Sequence, residues 1–207
     1  MLNLGRLCML LGVVGLLQAC ANAPIDKPAQ ADAAKILQQL HLQKIAAIEK
    51  FGLKGRIGVQ SDGKGFSGGI TWQHDHINDD ISLYSPLGGL AANIKKNAEK
   101  VTLEDTKGNS VSAIDAETLT QNTLGWRLPL AGLADWSLGR PASSPIEAST
   151  WSEQGYLLSL KQDNWQIEYQ NYAAHNGYIL PSKILLKNEK VTLKLVIEQW
   201  DKLTPNP

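Results

Sequence analysis

The apolar positions of the chain change their period twice, and the changes divide it. Leu7 to Leu17 is an uncharged run of Leu, Cys, Met, Gly and Val. Ala21 to Asp32 is polar and holds Pro24 and Pro28, which reads as a flexible tether. From Ala33 to Lys50 there is neither Gly nor Pro, and Ile36, Leu37, Leu40, Ile45 and Ile48 recur at helical spacing. That stretch predicts an amphipathic helix closed by Phe51 and Gly52. The period then falls to two. Phe51, Leu53, Gly55, Ile57 and Val59 alternate with Gly52, Lys54, Arg56, Gly58 and Gln60, the pattern of a half-buried antiparallel strand. Ser61 to Gly65 is a turn. Phe66, Gly68, Ile70 and Trp72 mark a second strand, Ile77, Ile81 and Leu83 a third, Leu90, Ala92 and Ile94 a fourth, Val101 and Leu103 a fifth, and Ser110–Ala113 a short sixth.

The alternation then breaks. Asp115 can cap a helix running to Gly125, and Pro129 opens a second helical piece with Leu130, Leu133, Trp136 and Leu138, ended by Gly139. Beyond Pro141 and Pro145 the strands resume as Ile146–Trp151, Tyr156–Lys161, Trp165–Tyr172, Ile179–Leu186 and Val191–Gln199. About eleven strands in hairpin succession predict a mainly β protein with some α, a curved antiparallel sheet packed on a few helices, in one domain over residues 33–207. The period places Leu53, Ile57, Ile70, Trp72, Ile81 and Leu83 in rows that line a core or a cavity. It does not say which face of the sheet is concave.

The first run is eleven residues long, too short for a bilayer span of about 20 residues and suited to a secretory signal. It follows Arg6 and leads to Leu17-Gln18-Ala19-Cys20, which is similar to the lipobox of bacterial lipoproteins. Residues 1–19 are therefore expected to be a signal peptide and residues 20–32 a lipidated Cys with its tether. Cys20 would carry an N-acyl chain and an S-diacylglycerol, and Ala21 in place of Asp favours the outer membrane. Cys8 leaves with the signal, so the two cysteines provide no disulfide framework, thiol catalyst or thiolate metal site.

Lys+Arg and Asp+Glu both number 20, which removes the electrostatic case for a nucleic-acid binder. With 43% hydrophobic and 19% charged residues the chain is globular, and a monomer is expected. Three stretches imitate chemistry. Gly63-Lys64-Gly65-Phe66-Ser67-Gly68 fits a dinucleotide fingerprint, but strand-like sequence follows it instead of a helix. Ser67 fits a nucleophile motif without its strand-to-helix turn. His74-Asp75-His76 could place two imidazoles on one strand face, but His41 and His175 have no ligand spacing to complete a zinc site. The reading is a protein that is not an enzyme and needs no cofactor or metal.

Two features remain. Leu87 sits on a turn between Ser85-Pro86 and Gly88-Gly89, where a polar residue is expected. On a membrane-tethered protein it is a candidate for dipping into lipid. Six Trp accompany two Phe, enough for ordinary core use or for the walls of an acyl-chain pocket.

The ordered set of lipobox, helix, Phe51-x-Leu53-x-Gly55-Arg56-Ile57, Gly65-Phe66-Ser67-Gly68 leading to Trp72, Ser85-Pro86-Leu87-Gly88, Leu128-Pro129-Leu130-x-x-Leu133-x-x-Trp136-x-Leu138-Gly139 and Trp165-x-Ile167-x-Tyr169 resembles the LolB family. The resemblance covers nearly all of the chain after Cys20. It implies an incomplete, unclosed antiparallel β-barrel of eleven strands, with a lid of helices around an apolar cavity. It implies an outer-membrane receptor, facing the periplasm, that accepts triacylated lipoproteins from a soluble LolA-like carrier, holds their acyl chains and inserts them into outer-membrane lipid. A leucine on the loop after strand three serves the insertion step in the family. The matching position is Leu87, flanked by Pro86 and Gly88, and Leu90 either shares the role or begins strand four. The alternative is a lipid- or glycolipid-binding envelope lipoprotein of another pathway.

Overall fold

The computed structural model describes residues 27–61 and 63–205, so the expected signal peptide, Cys20 and the first part of the tether lie outside the described residues. The elements are α1 (Lys27–Ala46), β1 (Ile48–Ser61), β2 (Lys64–Asp75), β3 (Asn78–Tyr84), β4 (Leu90–Lys96), β5 (Val101–Asp105), β6 (Ser110–Ala113), α2 (Ala116–Leu124), α3 (Leu130–Ser137), β7 (Ile146–Trp151), β8 (Leu157–Gln162), β9 (Trp165–His175), β10 (Tyr178–Lys187) and β11 (Val191–Pro205).

All eleven strands join one antiparallel sheet in the order β6-β5-β4-β3-β2-β1-β11-β10-β9-β8-β7. Every neighbour is a hairpin partner except the pair β1 and β11, which brings the two ends of the sheet-forming sequence to the centre. The sheet does not close, because β6 and β7 are its outer strands. Leu53 pairs with Trp200 and Trp72, Ile70 with Leu83, and Trp72 with Ile81, so alternate residues fall on one face. That face is the buried one. Leu53, Ile57, Ile70, Trp72, Ile81 and Leu83 are all fully buried, together with Ile94, Leu103, Ile167, Ile184, Leu193 and Leu195 from the flanking strands. The opposite face carries Lys54, Arg56, Lys161 and Lys194 and is exposed, as the alternation requires. Register shifts at three points along β1 and β11 are bulges that bend the central pair.

The short helices pack on this buried face. Asp115 caps α2 by accepting from the Glu117 and Thr118 amides, and Gly125 ends it in the left-handed region at φ 85. These bonds hold the Asp115 carboxyl below its usual range. Leu119, Trp126, Leu128, Leu130, Leu133 and Trp136 run from α2 into α3 and join the same apolar cluster as the sheet. The Phe66 and Trp126 rings stack at 6.5 Å.

Three expectations are corrected. α1 begins at Lys27 and not at Ala33, because Pro28 falls in the first helical turn, where a missing N–H costs nothing. α1 also ends at Ala46, and Ile48 opens β1 opposite Pro205. Only the end of the predicted stripe, Ile45 and Ile48, is buried. His41 and Ile45 are buried, whereas Ile36 and Leu40 are each 56% exposed and Leu37 is exposed too. Neighbouring backbone decides this. The Gly155 turn lies against Leu37 and Gln38, Tyr156 meets the His41 ring edge-on at 4.9 Å, and Arg140 Nη1 donates to the Ile45 carbonyl at 2.5 Å. Third, Ile77 lies in the β2–β3 turn and is exposed, while Asp79 takes the inward place it was expected to mark.

Candidate functional site

The β3–β4 turn is the first part of the site. Ser85 N–H donates to the Gly89 carbonyl at 2.7 Å and Gly88 N–H donates to the Ser85 carbonyl at 2.9 Å. Pro86 sets the first central position of this turn, and Gly88 takes φ 86 to close it. Leu87 lies between them and is 99% exposed. The turn stands on β2 through a close backbone approach: a Cβ at Gly68 would come within 1.8 Å of the Tyr84 carbonyl oxygen. Sequence placed Pro86, Leu87 and Gly88 together, and the structure keeps them together. Leu90 pairs with Tyr84 as the first residue of β4 and is exposed.

The second part is the apolar interior between the concave face and the helices. It is filled by side chains, with Trp72, Trp136, Phe51, Leu128 and Leu133 all fully buried. Trp136 Nε1 donates to Gln162 Oε1 at 2.8 Å, and the same oxygen accepts from the Ala142 N–H at 3.0 Å. Gln162 Nε2 in turn donates to the Ala142 and Ser144 carbonyls. One buried amide thus ties α3 and the segment after it to β8. Ser137 Oγ on α3 and Tyr169 Oη on β9 are buried without a hydrogen-bond partner among the described residues, and burial pushes the Tyr169 hydroxyl well above its usual pKa.

The sequence missed a polar cluster at the end of the concave face. Asp79 is buried, and it accepts from Trp72 Nε1 at 2.9 Å, pairs with His74 Nδ1 at 2.6 Å and meets Lys96 Nζ at 3.3 Å. The three groups that meet the Asp79 side chain offset the cost of burying it. Its signal was legible: the alternation Asp79, Ile81, Leu83 puts one charge in an apolar row. His74 stacks on Phe51, whereas His76 lies in the turn against Asp75 and Glu49. The two imidazoles do not converge, and among the described residues no cluster has the ligands for a metal. Ser67 is an exposed mid-strand residue of β2 and opens no helix.

Two grooves open outward. One, of about 900 Å³, lies among Glu117, Arg127, Lys161, Asp163, Lys187 and Lys190 at the turns beside α2. Burial raises the Glu117 carboxyl, with the Asp115 charge adding to it. The other, of about 460 Å³, lies on the exposed sheet face beneath the Leu87 turn.

Known proteins match this arrangement. A family model described as outer membrane lipoprotein LolB matches residues 49–200. The chain is 33% identical over 192 residues to the outer-membrane lipoprotein LolB of Nitrosomonas europaea, covering 92% of this chain and 90% of that one. It is 32% identical over 187 residues to that of Pseudomonas fluorescens, covering 90% and 91%. The crystal structure of a LolA-superfamily protein from Nitrosomonas europaea superposes with a TM-score of 0.50 at 12% identity, covering 82% of this chain and 94% of that one, a likeness of fold. With a family match spanning the sheet from β1 to β11 and relatives above 30% identity along nine-tenths of its length, the chain belongs to the LolB family of outer-membrane lipoproteins.

Proposed function

We propose that this lipoprotein is the membrane-side receptor of the lipoprotein localisation pathway, accepting acylated proteins from a LolA-like carrier and delivering them into the outer membrane. The observation that carries the reading is the pairing of an apolar sheet face packed under short helices with a fully exposed leucine on a turn closed by two backbone hydrogen bonds. Acyl chains in water cost about 0.8 kcal/mol per CH₂, so cargo must pass between sheltered sites. The interior is occupied by the protein's own side chains, so cargo enters by displacing α2 and α3. These helices have nine and eight residues, too few to be stable alone, and the buried, unpartnered Ser137 and Tyr169 hydroxyls lower the cost of lifting α3. In this reading Leu53, Ile57, Ile70, Trp72, Ile81 and Leu83 contact the chains, and Pro86, Leu87 and Gly88 form the part that enters the membrane. The protein acts by binding, down a gradient of affinity from carrier to receptor to bilayer, as a monomer anchored through Cys20.

The test is a transfer assay. Protein lacking the Cys20 anchor is mixed with carrier loaded with an acylated lipoprotein, and cargo is followed by co-purification. Cargo moving to this protein and not back is the expected result. No movement, with an apolar dye still bound, overturns the receptor reading in favour of a lipid-binding lipoprotein of another pathway.

A further inference from the structure

The groove beneath the Leu87 turn has a floor of backbone. Gly55 of β1 and Gly68 and Gly69 of β2 line it with backbone, and Ser85, Pro86 and Gly88 of the turn form one wall. The other side carries charge. Lys54 and Arg56 project from the exposed face of β1 and are exposed, and Ser67 and Thr71 of β2 stand opposite Gly58 and Lys54 in the register. Arg56 Nε donates to Glu198 Oε1 at 2.7 Å. That bond orients the guanidinium and uses one of its five N–H donors. The groove therefore sets two cations, one anion and four hydroxyl-bearing residues (Ser67, Thr71, Tyr84, Ser85) beside apolar surface, which gives the recess a formal charge of +1.

We propose that this recess binds the phosphate of a phospholipid headgroup while Leu87 is in the membrane. The inference rests on the insertion reading for Leu87, and it names what that reading leaves open, the polar partner of the loop at the membrane surface. The occupant follows from position and charge. A leucine at the tip of the turn reaches the acyl region only if the groove behind it lies at headgroup depth. Phosphate is the anion at that depth, and Lys and Arg with hydroxyl donors are the groups that bind it. The arrangement sets the depth of insertion and holds the receptor on the bilayer while cargo leaves.

The experiment uses the acylated full-length protein reconstituted in vesicles of phosphatidylethanolamine and phosphatidylglycerol, doped with a phospholipid whose headgroup carries a diazirine. After photolysis, labelled peptides are identified by mass spectrometry. Labelling is expected on the peptides holding residues 54–56, 67–71 and 84–88. Lys54→Gln and Arg56→Gln should each reduce it about fivefold, since a basic residue near the surface is worth about 1 kcal/mol. Glu198→Gln should increase it. All three positions are exposed, and an unchanged thermal melt verifies the fold of each variant. Labelling equal in wild type and the Lys54→Gln/Arg56→Gln double variant overturns the proposal, as does labelling that is absent from these peptides in a wild-type protein that still delivers cargo. The Leu87 reading fails by a different result, normal delivery by Leu87→Glu, so the two failures are distinguishable.

Discussion

Leu87→Glu separates folding from delivery. The side chain is 99% exposed, so it contributes no burial to the folded state, and exposed substitutions away from special features change stability by about 0.5 kcal/mol or less. The turn keeps its closing bonds, because both run between backbone atoms of Ser85, Gly88 and Gly89. In the membrane the balance is different. Full burial of a leucine is worth about 1.5–3 kcal/mol, and an acidic side chain at membrane depth costs up to about 3.5 kcal/mol. The tip of a turn reaches only the outer part of the acyl region, so a loss of about 2–4 kcal/mol is expected, or roughly 30- to 1,000-fold in loop partitioning. Leu87→Ala removes only the apolar gain and should weaken the step about tenfold. The assay loads the receptor with labelled cargo from a carrier, then follows that cargo into vesicles, with a melting curve on the same preparation. Cargo receipt and melting temperature should match wild type while release fails. A variant that melts several degrees lower, or one that releases cargo at the wild-type rate, refutes the reasoning.

Other substitutions test the scaffold. Gly68→Ala should lower stability by several kcal/mol in urea unfolding, since its Cβ meets a backbone oxygen at 1.8 Å, whereas Gly58→Ala, with open space around it, should be neutral or stabilising by up to about 1 kcal/mol. Asp79→Ala strips Trp72, His74 and Lys96 of their shared acceptor, and a loss of about 3–5 kcal/mol is expected on denaturant melting. The His41 pKa is lowered by burial and then by the Lys44 charge. Below about pH 6.5 the unfolded chain therefore takes up a proton that the folded chain resists, and stability should fall as pH drops from 7.5 to 5.5. His41→Phe, which keeps a ring beside Tyr156, should flatten that slope. Arg140→Ala releases the Ile45 carbonyl and Asp135, and amide exchange at residues 42–46 should rise at least tenfold relative to β1.

The strands were legible because one face of the sheet is buried along most of its width. The period of two marked β1, β2 and β4, and the α2 boundaries at Asp115 and Gly125 followed from capping chemistry alone. The turn at Leu87 was visible because an apolar residue stood where Pro and Gly predict exposure. What misled was α1. Its most regular stripe, Ile36, Leu37 and Leu40, faces outward because the docking side is chosen by the Gly155 turn and by Arg140, both more than 90 residues away in sequence. Asp79 was passed over because its donors, Lys96 and the Trp72 indole, become its neighbours only through register. The groove beneath the Leu87 turn was invisible for the same reason, since Glu198 reaches Arg56 across the β1–β11 pairing.

Because β6 and β7 are not bonded to each other, the sheet is a ribbon with two free margins. A closed barrel of fixed strand number has a fixed girth, and enlarging it means breaking a ladder of backbone bonds. A ribbon changes its interior volume by changing curvature, and each interstrand bond persists as its margins move apart. What must yield is side-chain contact between the helices and the sheet, which is lost and regained gradually. On the proposed receptor reading, the capacity of such a container adjusts to its contents, so cargo with acyl chains of different length is held by the same set of residues.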